Sequence, residues 1–198
     1  LDTLGVAVQR NHPATAQAVG GGAMFALQPA KGIQAHREAG STLHTYVAIT
    51  APQEWFAAID FTHTPTAAAR IAQVFTGWSP ALTALITHSD TELVWRPLFT
   101  LPVEHHWNRV PGVTLVGDAA HLAAPNGEGA NLAMYDGAEL GKAIASHPDD
   151  VEAALHAYEQ AMFPRSAQTA AECNELHELL FGDDAPHSLV SMFNGAGT

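Results

Sequence analysis

Apolar and polar positions alternate with a period of two early in the chain, and later recur every three to four residues. Residues 24–27, 33–38 and 43–50 carry the period of two, which is the mark of half-buried strands. Gln28-Pro29-Ala30-Lys31-Gly32 and Ala39-Gly40-Ser41 separate them as turns. Connections this short join antiparallel neighbours, so residues 24–50 are predicted to form a three-stranded antiparallel meander. In that arrangement Gln34, His36 and Glu38 share one face, and Ile33, Ala35 and Arg37 share the other. The first set is polar, so its face is either solvated or lines a pocket. Ahead of the meander, residues 1–8 are short and apolar, readable as a strand or as the remnant of a connection. Residues 11–22 are alanine-rich and end in Gly20-Gly21-Gly22, a flexible punctuation.

The longer period begins at Thr64-Pro65, a hydroxyl cap followed by proline at the first helical position. Ala68, Ile71, Ala72 and Phe75 follow at helical spacing. Ser79-Pro80 repeats the device before Leu82, Leu85 and Ile86. These two short helices are expected to cover one face of the sheet. Residues 92–101 then read as a further strand, at an edge or beside a bulge because of Pro97. A connector, residues 103–112, leads to the β-type run at residues 113–116. A helical pattern over 130–144 follows. Asp149-x-x-Glu152 resembles a capping box, and Val151, Leu155, Tyr158 and Met162 form an apolar stripe behind it. Pro164 lacks the N–H that the Gln160 carbonyl needs, so a kink or break is expected there. A second helical run carries Ala167, Ala170, Leu176, Leu179 and Leu180, and the composition is turn-like from Gly182 onward.

Composition narrows what such a chain can do. Its 198 residues allow one large domain or two small ones. Lys+Arg of 8 against Asp+Glu of 20 gives 8 − 20 = −12, an acidic balance that argues against nucleic acid or anionic membrane as partners. Neither a signal peptide nor a membrane-spanning apolar run is legible. The single cysteine, Cys173, excludes an internal disulfide and fits a cytoplasmic location; with no cation nearby in sequence it reads as inert. The twelve histidines are scattered without metal-ligand spacing, so no metal site is expected. No nucleophile–base constellation is recognisable, and no catalytic side chain is assigned.

The chemistry concentrates at residues 113–131. An apolar run ends abruptly at Gly117-Asp118, a loop with Pro125, Gly127 and Gly129 follows, and a helix begins near Ala130-Asn131. The first N–H groups of a helix have no internal partners and carry partial positive charge. Glycines ahead of them let a ligand approach the backbone. Asp118 can accept hydrogen bonds from sugar or ribityl hydroxyls, or it can simply cap a turn. Ala133, Gly137 and Gly141 recur every fourth residue and make a bare face suited to a sheet or a flat ligand. His121 reads as a packing histidine at the loop base. Trp95, Phe99 and Phe25 read as core aromatics. Gln28, Gln34, His36 and Arg96 are candidate substrate-pocket residues, each with a solvated strand face as its alternative.

Gly117-Asp118-Ala119-Ala120-His121 followed by Pro125-x-Gly127-x-Gly129-x-Asn131 resembles the second FAD-binding motif of the FAD-dependent aromatic hydroxylases, the tetracycline-inactivating-type monooxygenases among them. The resemblance extends from about Met24 to about Phe181 and is specific only across the motif. It departs from the family at Ala124, where many relatives carry a first proline, and in lacking the N-terminal G-x-G-x-x-G strand that holds the ADP half of FAD. The resemblance implies an α+β fold. An antiparallel substrate-domain sheet covered by helices (residues 1–110) precedes the returning strand and C-terminal helices of an FAD-binding domain (residues 111–198). It implies FAD bound by Gly117, Asp118, Pro125, Gly127, Gly129, Ala130 and Asn131, with NAD(P)H as co-substrate and an aromatic or polyketide-like small molecule as the hydroxylated partner. The expected chain is N-terminally incomplete, completed by a missing segment or a second chain. The alternative is a truncated, non-catalytic relative that binds a ligand or a partner.

Overall fold

A computed structural model describes residues 11–39 and 42–195, so the expectations for residues 1–8 and for Gly40 and Ser41 lie outside it. In chain order the elements are α1 (Pro13–Val19), β1 (Ala23–Gln28), β2 (Lys31–Arg37), β3 (Leu43–Ile49), α2 (Gln53–Ala57), α3 (Thr64–Val74), α4 (Pro80–Thr87), α5 (Asp118–His121), α6 (Gly129–Ser146), α7 (Val151–Phe181) and α8 (His187–Gly195). The chain divides into two compact units. One comprises residues 1–96 and 179–198, the other 97–178.

The predicted meander is present. β1, β2 and β3 form a three-stranded antiparallel sheet in that order, with Phe25 opposite Gln34 and Gln34 opposite Tyr46. The register puts Ile33 and Ala35 on one face with Leu43, Val47 and Ile49, and it puts Gln34 and His36 on the other. The first face makes the core, where it meets Ala16 and Val19 of α1, Ala67, Ala68 and Ile71 of α3, and Leu85 and Ile86 of α4. Both proline-led helices form, and Ser79 caps α4 by accepting a bond from the Ala81 amide, but Thr64 is the first residue of α3 and not its cap: the N-cap is His63, with no side-chain cap bond. The β1–β2 turn is closed by Ala30, which sits at φ 62 and gives its amide to the Phe181 carbonyl at 2.8 Å. Behind it Gly32 leaves room for Leu27 and Phe181; a Cβ there would stand 2.8 Å from the Leu27 side chain.

Several expectations fail, each for a local reason. Residues 92–100 join no ladder, and Phe25, Trp95 and Phe99 are exposed instead of core. Trp95 stacks parallel to Phe56 and Phe61, with centroids 5.9 Å apart in each pair. The run at residues 113–116 is not a strand. Among the described residues its only pairing is an isolated bridge from Val113 to Val110. The cap of α7 is Asp150, which accepts from the Ala153 amide, rather than Asp149. Pro164 does not break α7: the helix runs unbroken through it. Both Pro164 and Gln160 are exposed, so water is free to take the orphaned carbonyl that a buried helix face would leave unmet. Past Gly182, where turn-like composition was read, α8 forms.

Leu85 is fully buried while Tyr46, on the open sheet face, is 53% exposed. Leu85→Ala is therefore expected to cost about 2–5 kcal/mol in urea unfolding, from lost transfer energy plus the cavity left behind. Tyr46→Ala is expected to cost under about 1 kcal/mol. Equal losses would mean that the sheet faces are assigned wrongly.

Candidate cofactor site

The approach to the site, residues 107–117, is fixed by side chains and not by a sheet. Glu159 of α7, 2% exposed, accepts from the Trp107 indole at 3.1 Å, the Arg109 guanidinium at 3.0 Å and the Thr114 hydroxyl at 2.8 Å. Arg109 also reaches Glu152 at 2.7 Å and the Val113 carbonyl at 2.6 Å, and the Gly112 amide donates to Glu152 at 2.5 Å. The Arg109 bond, seconded by the Gly112 amide, holds the Glu152 carboxyl below the usual range. The Tyr158 hydroxyl donates to the Leu115 carbonyl at 3.2 Å, and burial pushes that phenol well above its ordinary value. Charge-assisted bonds of this kind are short and directional, so they can replace a ladder along an extended segment.

At the end of the segment the backbone turns. Gly117 lies at φ 59, where only glycine rests without strain, and a Cβ there would stand 3.1 Å from the Ala133 methyl. The Gly117 amide donates to Asp136 of α6 at 3.0 Å. Asp136 is fully buried. Its carboxylate also takes a bond from Arg165 of α7 at 2.9 Å and pairs closely with the His121 imidazole. Burial would raise the Asp136 carboxyl, but the bonds from His121, the Gly117 amide and Arg165 outweigh it and hold the group below the usual carboxylate range. Asp118, the next residue along, is exposed.

The remaining motif residues are also open. Pro125, Gly127, Gly129, Ala130 and Asn131 are exposed, and Gly127 sits at φ 90. Around Gly127 and Gly129 an added Cβ would meet nothing within 4 Å. Glu128 precedes α6 without giving it a side-chain cap bond. Its amide is instead taken by the Asn126 side chain at 2.8 Å. The leading amides of α6 are thus accessible with their dipole end toward solvent. Gly117 touches Ala133, one turn past Gly129, so the Asp118 turn and the start of α6 adjoin. This set fits a polar, flat cofactor: a carboxylate for hydroxyls, bare amides for an electron-rich ring edge, and glycines that leave the approach clear. The bare face read at Gly137 and Gly141 is also open.

The other candidates fall elsewhere. Gln28, Gln34, His36 and Arg96 belong to the first unit, whereas every cofactor candidate belongs to the second. Gln34 and His36 share the open sheet face, where His36 stacks on His44 with centroids 5.2 Å apart. Gln28 lies on the opposite face, accepting from the Trp78 indole at 3.0 Å, and Arg96 is exposed beyond the sheet. A concavity of about 350 Å³ lined by His105, His106, Trp107 and Phe163 includes no cofactor candidate. Cys173 is buried, and that burial raises its thiol, in keeping with an inert residue. His121 is buried at the loop base, paired with Asp136. No group of described residues has a metal-binding arrangement.

Sequence reading missed Asp136, Arg165, Glu159 and Arg109. A usable signal existed for Asp136. It stands three residues after Ala133 and four before Leu140, a charge on the apolar side of a helix. Such a charge is retained only when it is paired.

Comparison with known proteins points to the same segment of the chain. Residues 103–172 match the FAD binding domain family. The chain is 42% identical over 102 residues to an FAD-dependent urate hydroxylase of Mycolicibacterium vanbaalenii, covering 47% of this chain and 24% of that protein. It is 37% identical over 91 residues to a 3-hydroxybenzoate 6-hydroxylase of Klebsiella oxytoca, covering 44% and 22%. The crystal structure of FqzB superposes with a TM-score of 0.65 at 21% identity, over 90% of this chain and 43% of that one. The candidate site lies within the segment that matches an FAD binding domain. The chain resembles FAD-dependent hydroxylases over this segment and spans about a quarter of the length of these two curated relatives.

A carboxyl held low in the folded state adds stability above its unfolded value, near 3.9 for aspartate, and that stability is lost as pH falls through the lower folded value. Asp136→Asn is therefore expected to lower Tm at pH 6 and to shrink the Tm difference between pH 6 and pH 3. Parallel acid losses in both proteins, followed by circular dichroism, would exclude Asp136 as a source of the acid limb.

Proposed function

We propose that this chain is the substrate-domain and C-terminal portion of an FAD-dependent monooxygenase that hydroxylates an aromatic or polyketide-like small molecule at the expense of NAD(P)H. The observation that carries this reading is the open cradle formed where the exposed Asp118 turn adjoins the uncapped start of α6. In this reading residues 1–110 are the substrate domain and residues 111–198 the returning part of the FAD domain. Bound FAD supplies the redox and oxygen-activating chemistry. The chain's own residues bind and orient it: Asp118 accepts from the ribityl hydroxyls, the Gly129–Asn131 amides stabilise negative charge at the ring edge, and Pro125 rests against the ring face. Gln34 and His36, on the open sheet face, are the substrate-side candidates.

A second chain or a further segment completes the FAD domain. Two features support this. Residues 114–116 extend without a ladder among the described residues, and Val113, Leu115 and Val116 are exposed. An exposed apolar run that joins no ladder is a template for strand addition. No described helix is long and apolar enough to cross a membrane, and we infer a cytoplasmic site of action.

The test is titration with FAD, followed by flavin fluorescence and visible absorbance, and then NAD(P)H-dependent oxygen uptake. Quenched flavin emission is expected, with affinity falling about tenfold or more in Asp118→Ala, because a charge-assisted bond contributes about 1.5–3 kcal/mol. Binding that ignores Asp118 would refute the cradle. Binding without oxygen uptake under any reductant would favour the non-catalytic alternative.

A further inference from the structure

We propose that Asp136 is a positioning residue of the cofactor cradle: through the Gly117 amide it sets the direction of the Asp118 carboxylate. The inference rests on the FAD reading for its functional half and on geometry alone for its structural half.

Three facts carry it. Asp136 is fully buried, yet none of its partners belongs to its own helix: one is a backbone amide of the motif turn, one a side chain of α5, one a side chain of α7. The turn it holds is the one glycine-dependent bend of the motif with a tight contact, Gly117 against Ala133, so its position is set from two sides of one α6 face. The residue after the bend is the exposed Asp118. A carboxylate that only balanced Arg165 would not need to face a backbone amide. A charge-assisted bond to that amide fixes a φ of 59, and with it the exit direction of the next residue. His121 closes the four-residue helix α5 back onto the same carboxylate, so both ends of the Gly117–His121 turn converge on Asp136. Arg165, also stacked over Tyr135 at 4.8 Å, meets the other carboxylate oxygen from the far helix.

The experiment compares Asp136→Ala, Asp136→Asn and Arg165→Met in the whole chain. Two readouts are used: amide hydrogen exchange and chemical shift at Gly117 and Asp118 by NMR, and FAD titration by flavin fluorescence. In Asp136→Ala the Gly117 amide is expected to exchange at least tenfold faster and FAD affinity to fall at least tenfold. Asp136→Asn keeps an acceptor oxygen of the same size, so it should restore most of the Gly117 protection and stay within about threefold of wild-type affinity. Arg165→Met leaves the Gly117 bond in place and should hold FAD affinity within about twofold. Should Asp136→Ala fail to fold, the Asn and Met variants still decide. An FAD affinity lowered tenfold or more by Arg165→Met, or a Gly117 amide whose shift and exchange respond to no Asp136 change, would overturn the proposal. A wild-type chain that ignores FAD would refute the cofactor reading separately, while the Gly117 exchange still settles whether Asp136 holds the turn.

Discussion

One buried carboxylate ties the second unit together. Asp136 sits where α5, α6 and α7 converge, and it takes charge-assisted bonds from a histidine, an arginine and a backbone amide. A bare carboxylate in that place would be costly, and each donor offsets part of the desolvation. The consequence runs outward to the surface. With the Gly117 amide bonded to Asp136 and Gly117 against Ala133, Asp118 and the start of α6 lie next to each other, exposed and polar. Function in this account is a by-product of where a buried charge finds its partners.

The segment before the bend depends on the same logic at lower burial. Glu159 and Glu152 hold residues 107–114 along α7, so the apolar run at 113–116 keeps an extended path without strands beside it. Its exposed valines and leucine are then free to meet another strand. The long helix that anchors this arrangement carries Pro164 on an exposed stretch, with Gln160 exposed one turn before it. The first unit is built on a different principle: a meander whose apolar face is covered by three helices, with the other face left open and lined by His36, His44 and Tyr46.

Much of this was legible in the sequence. The meander, its facing pattern and the two proline-led helices follow from local periodicity and capping, which need few residues to express themselves. The motif at residues 117–131 was legible because glycine and proline positions encode backbone geometry directly. What escaped was non-local. The strand read at 113–116 has the right side chains, but a strand also needs neighbours, and its apolar residues find none among those described. Trp95 and Phe99 looked like core because aromatic residues on extended runs usually pack, yet the run they stand on joins no sheet. Asp136 and Glu159 were passed over because their partners lie 15 to 52 residues away in sequence. A charge on an apolar helix face was the one trace either could have left.

The most direct measurement is a two-dimensional NMR titration of the isotope-labelled chain with FAD. On the present account the amides of Gly117, Asp118, Gly129, Ala130 and Asn131 move first and together, with the sheet of the first unit largely unaffected. Perturbations centred instead on the concavity around His105, Trp107 and Phe163, with the motif amides still, would contradict it.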